Sequence, residues 1–360
     1  MNVKLTQEQE NIISQVLNAI KIKGIVRIGG YAGTGKTTII QEFIKLLDNW
    51  AVCAYTGKAA NILRKKGIPD ASTIHSLIYV PMTDGQGNVV KDKHGSPIFI
   101  LNKDIDCNGF IVDEASMVNR EIYEDLRSFN KPIIFVGDHG QLEPVGSEIN
   151  LMKNPDFRLE KIHRNAGDIA IFAEFVRKGY NPAAFEHRVH SNAVRFLTKQ
   201  QAEKELLTPD QIICAFNKTR VSLNKRIRYA QYGVTENWPV QGEKVMCLRN
   251  CKKNGLFNGM QGVVEYLYPD KNRMVFQSDG KSYDVFFDPS YFNQESYDFS
   301  KSQRDDPIPF DFCDTITCHK AQGDEFDDVM VLEQRCSLWD FKRWAYTAAS
   351  RAKVRLTWII

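Results

Sequence analysis

Long apolar runs are missing from this 360-residue sequence. Its most hydrophobic stretches, such as residues 132–136 behind Lys131, are strand-sized, far short of the roughly 20 residues a membrane helix needs. Net charge is nearly absent as well. Lys and Arg total 47 against 44 Asp and Glu, leaving +3, so neither a histone-like protein nor a charge-extended disordered chain fits, although a basic groove stays possible. Eight cysteines, at 53, 107, 214, 247, 251, 313, 318 and 336, show no disulfide-framework spacing. With no apolar signal core at the start, they point to a reducing, intracellular setting. Cys247 and Cys251 lack a well-spaced second pair, so a strand and a turn are favoured there over a metal site. Low-complexity linkers and solenoid-length repeats are absent too.

What is present is an ordinary globular balance, 43% hydrophobic and 25% charged, at a length that suggests two or three domains. Periodicity predicts a helix over 7–20, with Thr6 as N-cap and Gln9 as its capping-box partner. A strand over 25–28, a glycine-rich turn over 29–35, a helix over 36–47, a strand over 51–54 and a helix over 57–66 follow. Such alternation marks a parallel α/β domain. Residues 78–102 change texture: short β-like pieces separated by Thr83-Asp84-Gly85 and His94-Gly95-Ser96-Pro97 predict an inserted hairpin. The α/β pattern returns with a strand over 110–112, a helix over 120–128 and a strand over 133–136. A second α/β unit begins after Arg164, with helices over 168–178 and 199–207 and a strand over 211–215. Short strands at 243–248, 262–268, 273–277 and 282–287 then predict a small β barrel. Strands over 312–316, 329–332 and 356–360 resume the second unit around it.

The nonapeptide GYAGTGKTT at 30–38 holds the full G-x-x-x-x-G-K-T pattern between a predicted strand and a predicted helix. Its glycines let backbone N–H groups turn toward phosphate oxygens, aided by the helix N-terminus. Gly33, Thr34, Gly35, Lys36, Thr37 and Thr38 are therefore candidate nucleotide-binding residues, with Lys36 on the terminal phosphates and the Thr37 hydroxyl on Mg2+. About eighty residues on, IVDEAS ends an apolar strand in two carboxylates. Asp113 suits the magnesium ion and Glu114 the attacking water of an ATP hydrolase; without the loop, the pair reads equally as an exposed strand end. A third strand end supplies Asp138 and Gln141 as γ-phosphate sensors, or else a tight turn. A remote arginine commonly neutralises the transferring phosphoryl group, and Arg164 and Arg351 are candidates, each also readable as an ordinary surface arginine.

Taken in order, these motifs resemble a superfamily 1 helicase, in particular the 5′-to-3′ RecD-like and Dda-like branch, over nearly the whole chain. Leu5-Thr6 with Gln9 resembles the adenine-reading motif, 30–38 motif I, 55–60 motif Ia, Ser72 to Ser76 a strand-contact motif, 113–116 motif II, and Gly137-Asp138 with Gln141 motif III. Arg164 resembles the motif IV arginine, 319–323 motif V including Gly323, and 346–353 motif VI. The resemblance implies two RecA-like P-loop NTPase motor domains with ATP between them, the first over 1–76 and 106–165 and the second over 166–236 and 310–360. It implies a pin or wedge at 77–105 and an SH3-like barrel at 237–309. Arg164 and Arg351 would contact the γ-phosphate, while Gln141 and Gln322 would couple nucleotide state to DNA. Thr56, Lys58, His75, Ser76, Asn217, Thr317, His319 and Lys320 would hold single-stranded DNA, and Tyr79 and Phe99, with Ile98, would meet the junction with duplex.

Five positive charges at 218, 220, 225, 226 and 228 read either as a phosphate channel or as one solvated helix face, and the resemblance favours the channel. His75 reads as a phosphate contact or as a partly buried residue tying its loop to the sheet. The function implied is an ATP- and Mg2+-dependent 5′-to-3′ DNA helicase in replication, recombination or repair, with single-strand-binding, replisome or recombination proteins as further partners. Two alternatives stay open: a DNA-dependent ATPase translocase that remodels protein–DNA complexes, and a non-catalytic nucleic-acid binding or assembly subunit. A nuclease is disfavoured because no separate acidic cluster suits a two-metal cutting site.

Overall fold

A computed structural model describes residues 5–92, 97–143, 149–161, 167–188, 191–251, 253–299, 307–337 and 339–360. The chain divides into two compact units, one of Met1–Lys91 with Pro97–Ala166, the other of Gly167–Ile360 with Asp92–Ser96. No helix among the described residues is long and apolar enough to cross a membrane.

In the first unit the elements run α1 (Gln7–Lys23), β1 (Ile25–Gly30), α2 (Lys36–Leu46), β2 (Trp50–Ala54), α3 (Gly57–Lys65), β3 (Ser72–Thr73), α4 (Ile74–Ile78), β4 (Tyr79–Pro81), β5 (Phe99–Leu101), β6 (Gly109–Asp113), α5 (Arg120–Ser128), β7 (Ile133–Gly137) and β8 (Phe157–Leu159). Six strands form a parallel sheet in the order β3-β2-β6-β7-β1-β8. Alternate side chains feed two cores, as the pleat requires. Ile134 and Val136 of β7 join Ile39, Ile40 and Phe43 of α2 on one face, while Ile133 and Phe135 join Phe110 and Leu126 on the other. Because every pair is parallel, the carboxyl ends of β1, β2, β6 and β7 share one edge, where ligands of open α/β sheets bind. The hairpin β4–β5 pairs Tyr79 with Leu101 and Pro81 with Phe99, and bridges at Thr83–Val89 and Lys91–Pro97 extend it.

The second unit contains α6 (Asp168–Arg177), β9 (Val194–Leu197), α7 (Lys199–Ala202), β10 (Gln211–Cys214), α8 (Asn217–Tyr232), β11 (Lys244–Cys247), β12 (Gln261–Tyr268), β13 (Arg273–Ser278), β14 (Lys281–Asp288), β15 (Ile308–Phe312), β16 (Thr315–Thr317), β17 (Phe326–Leu332), α9 (Phe341–Ala349) and β18 (Ala352–Ile359). Its parallel sheet has the order β16-β10-β17-β18-β9, and β11 to β15 close into a barrel. The barrel is filled by Val264, Phe276, Phe287 and Phe310. At Gly262 a Cβ would lie 2.1 Å from the Gln277 carbonyl oxygen, so β12 can approach β13 there only as glycine.

Two expectations change. The strand expected over 312–316 is two strands: Ile308–Phe312 pairs with β11 and belongs to the barrel, running past the expected edge at 309, and Thr315–Thr317 pairs with β10. The helix expected over 199–207 stops at Ala202 and tightens into a 3₁₀ turn over Glu203–Glu205. Edge strands β8 and β9, of three and four residues, are too short to show a period.

Candidate nucleotide and nucleic-acid sites

β1 delivers the phosphate loop to the sheet edge. Gly33 and Gly35 have φ of 79° and 84°, a region L-residues avoid. Gly35 is the N-cap of α2 and offers no side-chain cap, so the first-turn N–H groups stay available to an anion. A Cβ on Gly35 would also lie 2.3 Å from Gln9 Nε2. Gln9 is buried; its Oε1 accepts from the Thr6 N–H at 3.0 Å and its Nε2 donates to the Thr34 carbonyl at 3.2 Å. One side chain thus closes the capping box of α1 and braces the loop. Lys36 Nζ donates to the carbonyls of Gly30 at 2.9 Å and Tyr31 at 3.1 Å, and stands 4.0 Å from Oδ2 of buried Asp138. Thr37 and Thr38 follow in the first turn of α2, half-buried.

Asp113 is the last residue of β6 and is buried. Burial pushes its carboxyl above the usual range, against the Glu114 N–H at 2.9 Å and the charges of Lys36 and Lys66. A carboxylate so desolvated gains from a cation, and the Asp113 carboxylate with the Thr37 hydroxyl is the hard oxygen donor set that magnesium prefers, so the residues present fit such an ion. Ser116 adds a buried hydroxyl with no hydrogen-bond partner among the described residues. Glu114 sits at φ 52°, ψ 39°, a strained conformation of the kind that gathers at functional sites. Beyond β7, Asp138 accepts from the Gly140 N–H at 2.8 Å and from Gln141 Nε2 at 3.1 Å. Gln9, Lys36, Asp113, Asp138 and Gln141 therefore share one edge. The rings of Tyr31 and His139, 4.1 Å apart, join them without any sequence signal beyond proximity to the motifs.

The Thr56 hydroxyl caps α3, accepting from the Ala59 N–H at 3.1 Å, and Lys58 follows half-buried. Ser76 donates to the Thr73 carbonyl at 3.0 Å. His75 is exposed, 4.7 Å from the ring of Tyr79 and 4.9 Å from that of Phe99. The Tyr79 hydroxyl donates to Asp125, fixing the hairpin root to α5. Above that root Val80, Met82, Val89, Ile98 and Ile100 are exposed.

In the second unit Asn217 opens α8, and its Oδ1 accepts from Arg220 Nε at 3.2 Å. Thr317 ends β16, buried. Burial lowers the basicity of His319 and Lys320, and the Arg220 charge lowers Lys320 further. Lys320 Nζ donates to Asn258 of the barrel at 2.9 Å. Gln322 is buried and Gly323 has φ 80°. Arg351 is buried, and its three guanidinium nitrogens donate to the Thr347 carbonyl at 3.0 Å, the Asp324 carbonyl at 3.1 Å and Ser350 Oγ at 2.7 Å. Arg164 lies outside the described residues.

The basic run on α8 is not the single channel expected. Arg220 and Arg228 are 2% and 1% exposed, paired with Asp311 and Glu243, and Arg226 is paired with Glu203. Positions 220, 224 and 228 face the barrel, with Asn224 bonded to the carbonyls of Phe312 at 3.0 Å and Thr315 at 3.1 Å. Only Lys218, Lys225 and Arg226 lie on the exposed face.

A glycine loop heading a helix, with carboxylates at neighbouring strand ends of a parallel sheet, defines a P-loop nucleotide-binding domain. Residues 4–199 match the AAA domain family and residues 312–359 the UvrD-like helicase C-terminal domain. The chain belongs to this AAA-domain family. It is 31% identical over 222 residues to the ATP-dependent DNA helicase dda of enterobacteria phage T4, covering 56% of this chain and 49% of that protein. It is 25% identical over 387 residues to the ATP-dependent RecD2 DNA helicase of Deinococcus radiodurans, covering 98% and 48%. The chain thus spans about half the length of these two relatives. The fold matches the Bacteroides Pif1 helicase in complex with ADP-AlF3 and ssDNA at TM-score 0.62 and 19% identity, over 99% of this chain and 92% of that one. Two RecA-like sheets with an inserted hairpin and an inserted closed barrel are therefore the fold of this chain.

Proposed function

We propose that the chain is an ATP-driven helicase that moves 5′ to 3′ on single-stranded DNA and separates duplex ahead of it. The observation that carries this reading is Lys36. Its ammonium rests on two loop carbonyls at the open N-terminus of α2, 4.0 Å from a buried carboxylate, and terminal phosphates of ATP would replace those carbonyls as its partners. A magnesium ion held by Thr37 and Asp113 would neutralise phosphate charge. Glu114 takes the proton of the attacking water, and Asp138 with Gln141 senses whether the γ-phosphate is present. Arg351 and Arg164 are assigned to charge developing on that phosphate, Gln9 to the adenine, and Gly323 to the nucleotide. Thr56, Lys58, His75, Ser76, Asn217, Thr317, His319 and Lys320 are assigned to the DNA backbone, which permits travel on any sequence. Tyr79 and Phe99 at the root of a hairpin with an apolar surface are assigned to the junction, where stacking splits base pairs. The helicase names of the relatives and the ssDNA-bound Pif1 helicase support the choice of DNA.

Strand displacement with ATP and magnesium, on duplexes that differ only in carrying a 5′ or a 3′ single-stranded tail, tests it. Opening of the 5′-tailed duplex alone is expected. Opening of the 3′-tailed duplex alone would overturn the polarity, and opening of neither, with DNA-stimulated phosphate release intact, would favour a translocase.

A further inference from the structure

A cavity of about 420 Å³ opens in the second unit between α7, its 3₁₀ extension and α8, over β10 and the ends of β17 and β18. Of the residues read above as nucleotide or nucleic-acid contacts, Lys218 and Arg226 of the basic run on α8 line it, and none of the phosphate-loop, strand-end or backbone-contact residues does. Its floor is aliphatic: Leu206, Ile212, Leu223, Leu332 and Ile359, members or neighbours of one core cluster that meets solvent here. Its size falls within the roughly 300–1,000 Å³ of ligand pockets.

The rim is charged, and its charges are unevenly matched. Glu203 is paired with Arg226, and Glu333 accepts from Arg335 at 2.8 Å and Trp358 Nε1 at 2.8 Å. Lys199 and Lys218 are exposed and face no carboxylate partner among the described residues. An occupant must therefore bring an apolar group for the floor and negative charge for two lysines. A nucleic-acid strand answers poorly, because bases seek aromatic rings to stack on and the aliphatic floor has none. A peptide with carboxylates beside one bulky apolar side chain answers both demands, an anchor in a pocket with a polar rim.

We propose that this pocket docks an acidic segment of a partner protein through one bulky apolar side chain, with Lys199 and Lys218 holding its carboxylates. The site shares no residue with the phosphate loop and does not depend on ATP chemistry.

Fluorescence anisotropy with the whole chain tests it, using a fluorescein-labelled peptide of four aspartates followed by two phenylalanines. Saturable binding is expected, weakened by added salt and lost when serines replace the phenylalanines or lysines the aspartates. Ser222→Trp puts an indole into the cavity from the exposed face of α8 and should weaken binding about tenfold or more, as should Lys218→Glu, with melting temperatures unchanged. If Ser222→Trp fails to fold, Lys218→Glu and Lys199→Glu, both at exposed positions, carry the test. Absence of saturable binding, or binding indifferent to these substitutions, would overturn the proposal. So would a Ser222→Trp variant that lost affinity for a poly-dT oligonucleotide while the peptide failed to bind, since that result gives the groove to nucleic acid.

Discussion

Charge is buried in opposite ways along α8 of the second unit and at the strand ends of the first. Along α8 every buried charge is closed. Arg220 donates to Asp311 and to the Gln294 carbonyl, while Asp311 also accepts from the Asn293 N–H at 2.7 Å, the Phe312 N–H at 2.8 Å and the Tyr297 hydroxyl at 2.7 Å. Arg228 donates to Glu243 and to the carbonyls of Glu236 and Trp238, both at 2.5 Å, and lies 3.7 Å from the centre of the Phe312 ring. At the strand ends of the first sheet, Lys36 instead borrows loop carbonyls, stands 4.0 Å from Asp138, and leaves Asp113 with a carboxyl that burial pushes up. Closed pairs specify structure. Loosely matched buried charges mark a place kept for a ligand.

The sharpest way to break that contrast is to open a closed pair. Arg228→Met leaves the Glu243 carboxylate buried without its cation, and the expected loss is about 3–5 kcal/mol of stability, read as a large drop in melting temperature. Replacing both residues, Arg228→Met with Glu243→Leu, should restore most of it, because no charge is then stranded. A double variant as unstable as the single one would show that the pair contributes more than mutual neutralisation.

Lys36→Ala is the counterpart in the open cluster. Phosphate release should fall by about 10²- to 10³-fold, with little change in melting temperature and DNA binding largely kept. Unwinding by this variant would refute the assignment of the nucleotide site.

The same contrast explains what could be read from residue order. A phosphate loop is local: its two left-handed glycines, its lysine and the start of the helix it heads fall within eight residues, so spacing alone reveals it. The polar stripe of Arg220, Asn224 and Arg228 has helical spacing too, but it reads as solvated until Asp311, 91 positions from Arg220, is known to face it. The barrel limit at Phe312 was hidden likewise, because β15 pairs with β11 across the insertion and only Cys313 and Asp314 separate it from β16. The left-handed backbone at Glu114 and the reach of Gln9 to Thr34 across 25 positions are tertiary facts with no local signal.

A smaller effect tests the hairpin root, which shares features of both clusters. The Tyr79 hydroxyl is tied to Asp125, and burial with that carboxylate raises its pKa, so it remains a donor at working pH. Tyr79→Phe keeps the ring contact with His75 and removes the tether. Strand displacement should fall a few-fold, with single-strand-stimulated phosphate release unchanged. Equal loss in both assays would point to a role in DNA grip rather than in the junction.

The smallest expected effect concerns an ion pair at the surface, where neither kind of burial applies fully. Asp156 immediately precedes β8, at the amino end of that strand, and binds Lys23 Nζ at 2.9 Å and the Arg27 N–H at 2.9 Å. Burial works against its charge, but the Lys23 ammonium and the Arg27 N–H and guanidinium outweigh it, holding the carboxyl below its usual range. A carboxyl with a lowered folded pKa stabilises above its unfolded value, about 3.9 for aspartate, and that contribution fades as pH falls through the lowered value. Asp156→Asn should therefore cost about 1 kcal/mol or less at neutral pH, as exposed pairs do. The melting-temperature gap to the parent protein should narrow progressively below about pH 4, and added salt should shrink it at pH 7. A gap constant from neutral pH to pH 3 would mean that Asp156 acts through hydrogen-bond shape rather than charge, and would leave Lys23 and Arg27 with no electrostatic part in joining α1 and β1 to the segment before β8.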